Sequence, residues 1–330
     1  MTTRAVALFS GGLDSILAIR ILQEQGIEVE ALNFRTMFAC CQETASLAAA
    51  RLGVRLTAIG AEDEYLDIIR KPQFGYGRGV NPCIDCRIYM FRRAHIFMNE
   101  TAASMVVSGE VLGQRPKSQK RIDLEIIAQH SGLEGRLLRP LSAKLLPPTI
   151  PELDGEVDRD RLYDFSGRSR KGLIALARQY GFADQEIPSP STGCTLTEPG
   201  FAPRVRDLIQ IQPKNTSWDF ELLKYGRHIR YRDDTKIVVG RNPSDNDMLE
   251  YLTAREDSQA SAVIRPVDFT GPIVLVIGEA GEQAVKFAGG LLRRYAKCSN
   301  DEPQVAVTRG RRTEIQIAAE HAEAVAAETL

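Results

Sequence analysis

The 330-residue chain lacks any apolar run near the roughly 20 residues that span a bilayer; its longest, such as Gly271 to Ile277, fall far short. An N-terminal membrane segment is missing too, because the apolar stretch Ala5 to Phe9 runs straight into a glycine loop that contains Asp14. Secretion and membrane insertion are therefore not expected, and a cytoplasmic location is. An excess of either charge is also absent, with 42 Lys and Arg against 43 Asp and Glu, so no global field draws the chain to nucleic acid and any such partner needs a local patch. Its six cysteines, at 40, 41, 83, 86, 194 and 298, are expected without export to be reduced thiols rather than bridges. No internal repeat or low-complexity tract is present. With 43% hydrophobic and 26% charged residues, the composition excludes disorder and collagen-like sequence. The length suits about two domains, each large enough for its own core.

What is there alternates. Apolar, β-branched runs at Ala5–Phe9, Val29–Asn33, Arg55–Ile59, Met105–Ser108 and Leu137–Leu141 are separated by helical patterns at Ser15–Gln25, Gln42–Leu52, Cys86–Thr101 and Arg170–Tyr180. That order predicts an α/β fold with a parallel sheet and crossover helices. The polar stretch Gln212 to Ser217 marks a domain boundary, giving expected domains of residues 1–212 and 213–330. The second has strand-like runs at Lys236–Gly240, Ala262–Pro266, Ile273–Ile277, Gln304–Thr308 and Glu314–Ala318, with a helix over Glu282–Ala296, and reads as a smaller α+β domain.

Ser10-Gly11-Gly12-Leu13-Asp14-Ser15 lies between the first strand and the first helix. Two glycines allow a tight turn that exposes backbone N–H groups, the helix adds the positive end of its dipole, and Ser10 and Ser15 add hydroxyls. The result is an anion cradle for phosphate or pyrophosphate, although it has neither the lysine of a Walker A loop nor the glycine spacing of a dinucleotide fingerprint. A plain serine-capped turn is the alternative. The SGGxDS string resembles the PP-loop of the ATP pyrophosphatase superfamily, which adenylates substrates and releases pyrophosphate; the fold implied is the adenine nucleotide alpha hydrolase-like one. The resemblance implies that Asp14 helps hold Mg²⁺ or orient phosphates, and that the adenine lies near Leu32, Asn33 and Phe34.

Asn81-Pro82-Cys83-Ile84-Asp85-Cys86 precedes a helix, and a third cysteine sits in Ser191-Thr192-Gly193-Cys194-Thr195. A helix N-terminus lowers thiol pKa values, and a CxxC without export reads as metal-binding or redox-active. Three thiolates do not close a structural zinc site but suit a [4Fe–4S] cluster with one open iron. Zinc completed by His95 or an aspartate, a disulfide-exchanging pair, and inert buried thiols remain open. The pattern resembles the sulfur-inserting tRNA thiouridine synthetases, in which NPCxxC with a later GC implies the cluster-dependent type. Cys298 reads as a bystander, and Cys40 and Cys41 as neighbours of the site at most.

Ser108-Gly109-Glu110-Val111-Leu112-Gly113-Gln114, Ser118-Gln119 and Leu138-Arg139-Pro140-Leu141 resemble the 4-thiouridine synthetase pattern that closes over ATP, which implicates Ser108, Gly109 and Gln114. The match departs after Pro140, where this chain carries a proline-rich stretch from Pro147 to Pro151. Arg115, Lys117, Lys120 and Arg121 form a basic cluster suited to RNA phosphates, or else a solvated helix face. Farther on, Arg227 to Tyr231 and Lys236 to Asn242 resemble the small RNA-binding domain of the NFACT proteins, implying phosphate contacts from Arg227, Arg230 and Arg241 and stacking by His228 and Tyr231. A hairpin with exposed arginines is the bland alternative.

Taken together, the expected activity is ATP-dependent thiolation of RNA, tRNA in particular. The Ser10 to Ser15 loop and Mg²⁺ would handle ATP, a cluster on Cys83, Cys86 and Cys194 would serve the sulfur, and sulfide or a persulfide carrier would supply it. A homodimer is admitted as an assembly. The rival expectations are a small-molecule ligase with a zinc–cysteine site and a non-catalytic RNA-binding factor with a nucleotide switch.

Overall fold

The computed structural model describes residues 3–38, 42–61, 63–190, 193–212, 214–296 and 301–330. Cys40, Cys41, Cys298 and the Ser191-Thr192 pair lie outside the described residues. The chain divides into two units, Met1–Thr197 and Glu198–Leu330. The division falls before the polar stretch at 212–217 that marks the boundary in the sequence.

In the first unit, β1 (Arg4–Leu8), β2 (Glu28–Arg35), β3 (Leu56–Gly60), β4 (Met105–Ser108) and β5 (Leu137–Leu138) form one sheet in the order β3-β2-β1-β4-β5. All four pairings are parallel. The crossovers carry α1 (Leu13–Gln23), α2 (Gln42–Leu52), α3 (Asp63–Arg70), α4 (Cys83–Glu100) and α5 (Arg121–His130); α6 (Ile150–Leu153) and α7 (Lys171–Gln179) follow. The strands read as near-continuous apolar runs because both faces are covered. Ala5 and Ala7 of β1 pack with Ile16, Leu17 and Val107 on one face. Val6 packs with Ile88, Phe91 and Ile127 on the other. The chain direction reverses its lateral spread between β1 and β4, which places a crevice at their carboxyl ends, the place where open α/β sheets bind ligands.

The second unit begins with α8 (Ala202–Ile211) and α9 (Ser217–Leu222) and continues as β6 (Arg227–Arg232), β7 (Thr235–Val239), α10 (Pro243–Ala254), β8 (Ala260–Pro266), β9 (Val274–Gly278), α11 (Glu282–Tyr295), β10 (Gln304–Arg309), β11 (Arg312–Ile317) and α12 (Ala322–Ala326). Its six strands run in the order β11-β10-β8-β9-β7-β6, every neighbour antiparallel. Phe287, Leu291 and Leu292 of α11 pack on the face that carries Ile237 and Val276. Trp218, Leu249 and Leu252 of α9 and α10 cover the opposite face at Val238 and Leu275. No helix among the described residues is long and apolar enough to cross a membrane.

Candidate active site

Two glycines fix the nucleotide end. Gly11 has φ +74°, and a Cβ there would stand 2.8 Å from the Cα of Ala45 in α2. A Cβ on Gly109, at the tip of β4, would meet the carbonyl carbon and oxygen of Asp14 at 2.5 Å. Only glycine lets the loop after β1 close on α2 and the tip of β4 close on the first turn of α1. Ser15 Oγ donates to the Gly12 carbonyl at 2.8 Å, and the Gly12 N–H reaches Ser10 Oγ at 3.4 Å. No side chain caps α1, so its leading N–H groups stay available to an anion.

Ser10, Asp14 and Ser15 from the loop line a cavity of about 150 Å³ together with Asn33 and Phe34 of β2. Ser108, Gly109, Gln114 and Arg115 close its far side. Asn33 Nδ2 donates to the Phe9 carbonyl at 2.8 Å, which ties β2 to the loop. Gln114 Nε2 donates to Asp14 Oδ2 at 3.0 Å. Burial pushes the Asp14 carboxyl above its ordinary value; the Gln114 hydrogen bond and the charges of Arg170 and Arg115 pull part of the way back.

The thiol end is built on α4. The helix starts at Cys83, three residues earlier than its apolar pattern predicts, so Cys83 and Cys86 share the first turn at i,i+3 on one face. Buried Asp85 in that turn accepts from the N–H groups of Gln73 and Phe74 at 2.7 and 3.1 Å, pinning the preceding loop. The Val80 N–H donates to the Leu196 carbonyl at 3.1 Å, which brings the Cys194 segment beside the Asn-Pro-Cys turn. Tyr65 of α3 links the set: its hydroxyl lies 3.3 Å from Cys86 Sγ, and burial, with Cys86 and then Cys194 adding to it, pushes the phenol well above its ordinary value. Cys83 in turn feels Cys86. Burial raises the Cys83 and Cys86 thiols despite the helix N-terminus, against the expected lowering; Arg87 pulls both partly down and Arg115 helps at Cys83.

Three unbridged thiols are the right donor chemistry for an iron–sulfur cluster. Among the described residues, however, no group of three or more His, Cys, Asp and Glu side chains is placed to hold a metal ion. Completion of a zinc site by His95 fails on geometry. Its ring lies more than two helical turns beyond Cys86 and makes a 3.3 Å contact to the Ser131 carbonyl.

The two ends share a wall. Arg87 and Arg115 line the nucleotide cavity, and both lie within electrostatic reach of Cys83. Lys117 is near as well, since a Cβ on Gly77 would stand 3.0 Å from Lys117 Cγ and 3.6 Å from Cys83 Sγ. Part of the basic cluster thus borders the site rather than forming a solvated helix face; Lys120 is exposed just ahead of α5. Arg87, Tyr65 and Arg170 are missing from the sequence-based set. Only Arg87 leaves a signal there, standing next to Cys86.

In the second unit the arginines expected to meet RNA are engaged. Arg230 forks onto buried Asp207 at 2.9 and 2.6 Å, and Arg241 bonds Asp245 at 2.5 and 3.1 Å. Arg227 donates to the Gly240 carbonyl at 3.3 Å and lies over the Tyr295 ring at 4.5 Å. His228 is 0% exposed with Nε2 at the Tyr225 carbonyl and offers no face for base stacking, while Tyr231 stacks on Phe287 at 4.3 Å and has the Arg232 guanidinium 5.1 Å from its ring centroid.

Parts of the chain match known families. Residues 1–144 match the family model of the thiamine biosynthesis protein ThiI, and residues 226–329 match that of the NFACT protein RNA binding domain. A tRNA-specific 2-thiouridylase MnmA from Pelobacter propionicus is 25% identical over 174 residues, covering 50% of this chain and 49% of that one. The MnmA of Marinobacter nauticus is 24% identical over 228 residues, covering 64% of this chain and 55% of the relative. The chain spans about half the length of these relatives. A 4-thiouridine synthetase–RNA complex with bound ATP aligns at 21% identity with a TM-score of 0.39, covering 64% of this chain and 51% of that one. The chain is thus similar to ThiI over residues 1–144 and to the NFACT protein RNA binding domain over residues 226–329.

Proposed function

We propose that the protein uses ATP to replace a carbonyl oxygen of an RNA nucleobase, in tRNA, with sulfur. The observation that carries this reading is the shared wall: the cavity holding Asp14 and the glycine loop is bounded by Arg87 and Arg115, which also face Cys83. An activating nucleotide and a thiol centre side by side suit a two-stage substitution. The loop N–H groups, Ser10 and Ser15 hold the phosphates, and Asp14 supplies a hard carboxylate for Mg²⁺. The base oxygen attacks the α-phosphorus and pyrophosphate leaves; a sulfur nucleophile then takes the carbon and the oxygen leaves with AMP. The tRNA-specific 2-thiouridylases among the relatives support this reaction class.

Cys83, Cys86 and Cys194 would hold the [4Fe–4S] cluster, which when bound supplies an open iron for sulfide. A second reading, in which the thiols carry sulfur themselves without metal, is favoured by the lack of an assembled three-ligand site among the described residues. RNA is the macromolecular partner, with the second unit as its docking domain. The test incubates anaerobically purified protein with ATP, Mg²⁺, sulfide and unmodified tRNA and analyses nucleosides by mass spectrometry. A thionucleoside that requires ATP and is lost in Asp14→Ala is expected; pyrophosphate release without any thionucleoside sinks the assignment. Iron and acid-labile sulfide in the same preparation decide between the two thiol readings.

A further inference from the structure

The nucleotide cavity ends at two guanidiniums that the glycine loop does not need. Arg87 follows Cys86 in the first turn of α4, and Arg115 follows Gln114, the residue that holds Asp14. Among the described residues the Arg115 guanidinium makes no hydrogen bond or ion pair, although its carbonyl accepts from the Gln119 N–H at 3.1 Å. The acid facing Arg87 is Glu110, whose Oε1 lies 3.7 Å from Arg87 Nε, beyond hydrogen-bond distance. That oxygen is buried with no hydrogen-bond partner, while Oε2 is committed to Arg139 Nε at 3.0 Å. One carboxylate, 2% exposed, therefore faces the guanidiniums of Arg87, Arg139 and Arg115. Asp14 also attracts Arg115, so three guanidiniums face two carboxylates here, and Arg87 and Arg115 repel one another across the cavity.

Two forked cations that share an open cavity and lack a full set of acceptors fit an anion with several oxygens. We propose that Arg87 and Arg115 form an anion subsite for a phosphate ester, placed where the nucleotide cavity meets the thiols. This deepens the thiolation reading and rests on it. The ester is either the phosphate joining AMP to the activated base or the backbone phosphate of the target nucleotide. In the first case, as sulfide forms the C–S bond and the C–O bond breaks, the electron pair stays on the oxygen that departs with AMP, and the guanidiniums meet the charge it gains. The site differs from the loop in timing, since the loop N–H groups serve the intact triphosphate.

The experiment uses the full chain with Arg87→Gln, Arg115→Gln and Arg115→Lys. Calorimetric titration with AMP and with adenosine, in the absence of RNA, reads the phosphate contribution; anisotropy with unmodified tRNA, in the absence of nucleotide, reads the backbone alternative. The glutamine variants are expected to lose at least tenfold of the preference for AMP over adenosine, with adenosine affinity unchanged, and Arg115→Lys to keep most of it. An intact AMP preference with tenfold weaker tRNA binding assigns the subsite to the RNA backbone phosphate. Unchanged binding in both arms overturns the subsite. A wild-type protein that shows the AMP effect but releases no pyrophosphate with tRNA would instead overturn the thiolation reading and leave the subsite standing.

Discussion

Asp14 carries a cost that its proposed role would explain. Its carboxyl titrates above the ordinary range because burial disfavours the charged form more than Gln114 and the nearby guanidiniums favour it. The sign follows from linkage. Above the raised pKa the native state holds a charge that the unfolded chain keeps in water, so Asp14 destabilises at neutral pH; the cost fades as pH falls through the raised value and is gone below the unfolded pKa of about 3.9. Asp14→Asn keeps an acceptor for Gln114 and removes the charge. It is expected to abolish ATP-dependent activity while raising Tm at pH 7.5 by about 1–3 °C. Calorimetry across pH checks this: the gap should close near pH 4, and a lower Tm for the variant at pH 7.5 counts against the assignment. A residue that weakens the fold and is kept for its ligand is also one that sequence reading finds easily. Ser10, Gly11, Gly12 and Asp14 are legible because a tight turn and an uncapped helix start need particular residues in a fixed order. Tyr65 is not, because what makes it matter is the arrival of Cys86 and Cys194 from other parts of the chain.

Among elements, β4 and α2 occupy the spans that periodicity predicts, Met105–Ser108 and Gln42–Leu52. The misses have physical causes. The α5 helix, Arg121–His130, starts inside a cluster of charge whose pattern suggests phosphate contacts before it suggests a helix, and α4 begins at Cys83 because Asp85 is spent on the preceding loop. The second unit hid more, since Arg230 in β6, expected at an RNA phosphate, closes with Lys236 of β7 on Asp207 from α8. Lys236 is 4% exposed, and burial lowers it to about 8 although Asp207 works the other way. Burial also works against the charged Asp207, but Arg230 and Lys236 hold its carboxyl below the ordinary range. Removing Asp207 strands two cations, and Asp207→Ala is expected to cost about 3–5 kcal/mol in urea denaturation. Lys236→Met leaves Asp207 forked to Arg230 and should be neutral or stabilising at pH 7. Because the native state disfavours charged Lys236, wild type should gain on that variant as pH rises from about 8 towards 10.5. A Lys236→Met protein as unstable as Asp207→Ala would show that the lysine, not the carboxylate, organises the cluster.

At the scale of the whole chain, parallel strands alternating with helices announced the first sheet, whereas the order β11-β10-β8-β9-β7-β6 rests on non-local pairing that no local pattern encodes. The same distinction governs RNA. With a formal charge of −1 the molecule has no global attraction for a polyanion, so affinity must come from a few local contacts, and each released counterion registers in the salt dependence. The logarithm of the tRNA binding constant should fall linearly with the logarithm of salt, with a slope of about 0.7–0.9 for each phosphate neutralised. Lys117 is exposed beside the site and Lys120 is exposed ahead of α5, and replacing either with Gln is expected to shallow the slope by about one such step. Arg230 and Arg241 are already neutralised by Asp207 and Asp245, so Arg230→Gln and Arg241→Gln should lower stability and leave the slope unchanged. Titrations between 50 and 300 mM KCl separate the two groups. A slope that falls with Arg230→Gln and not with Lys117→Gln would mean that RNA competes successfully for the buried ion pair, and that the second unit rearranges when it binds.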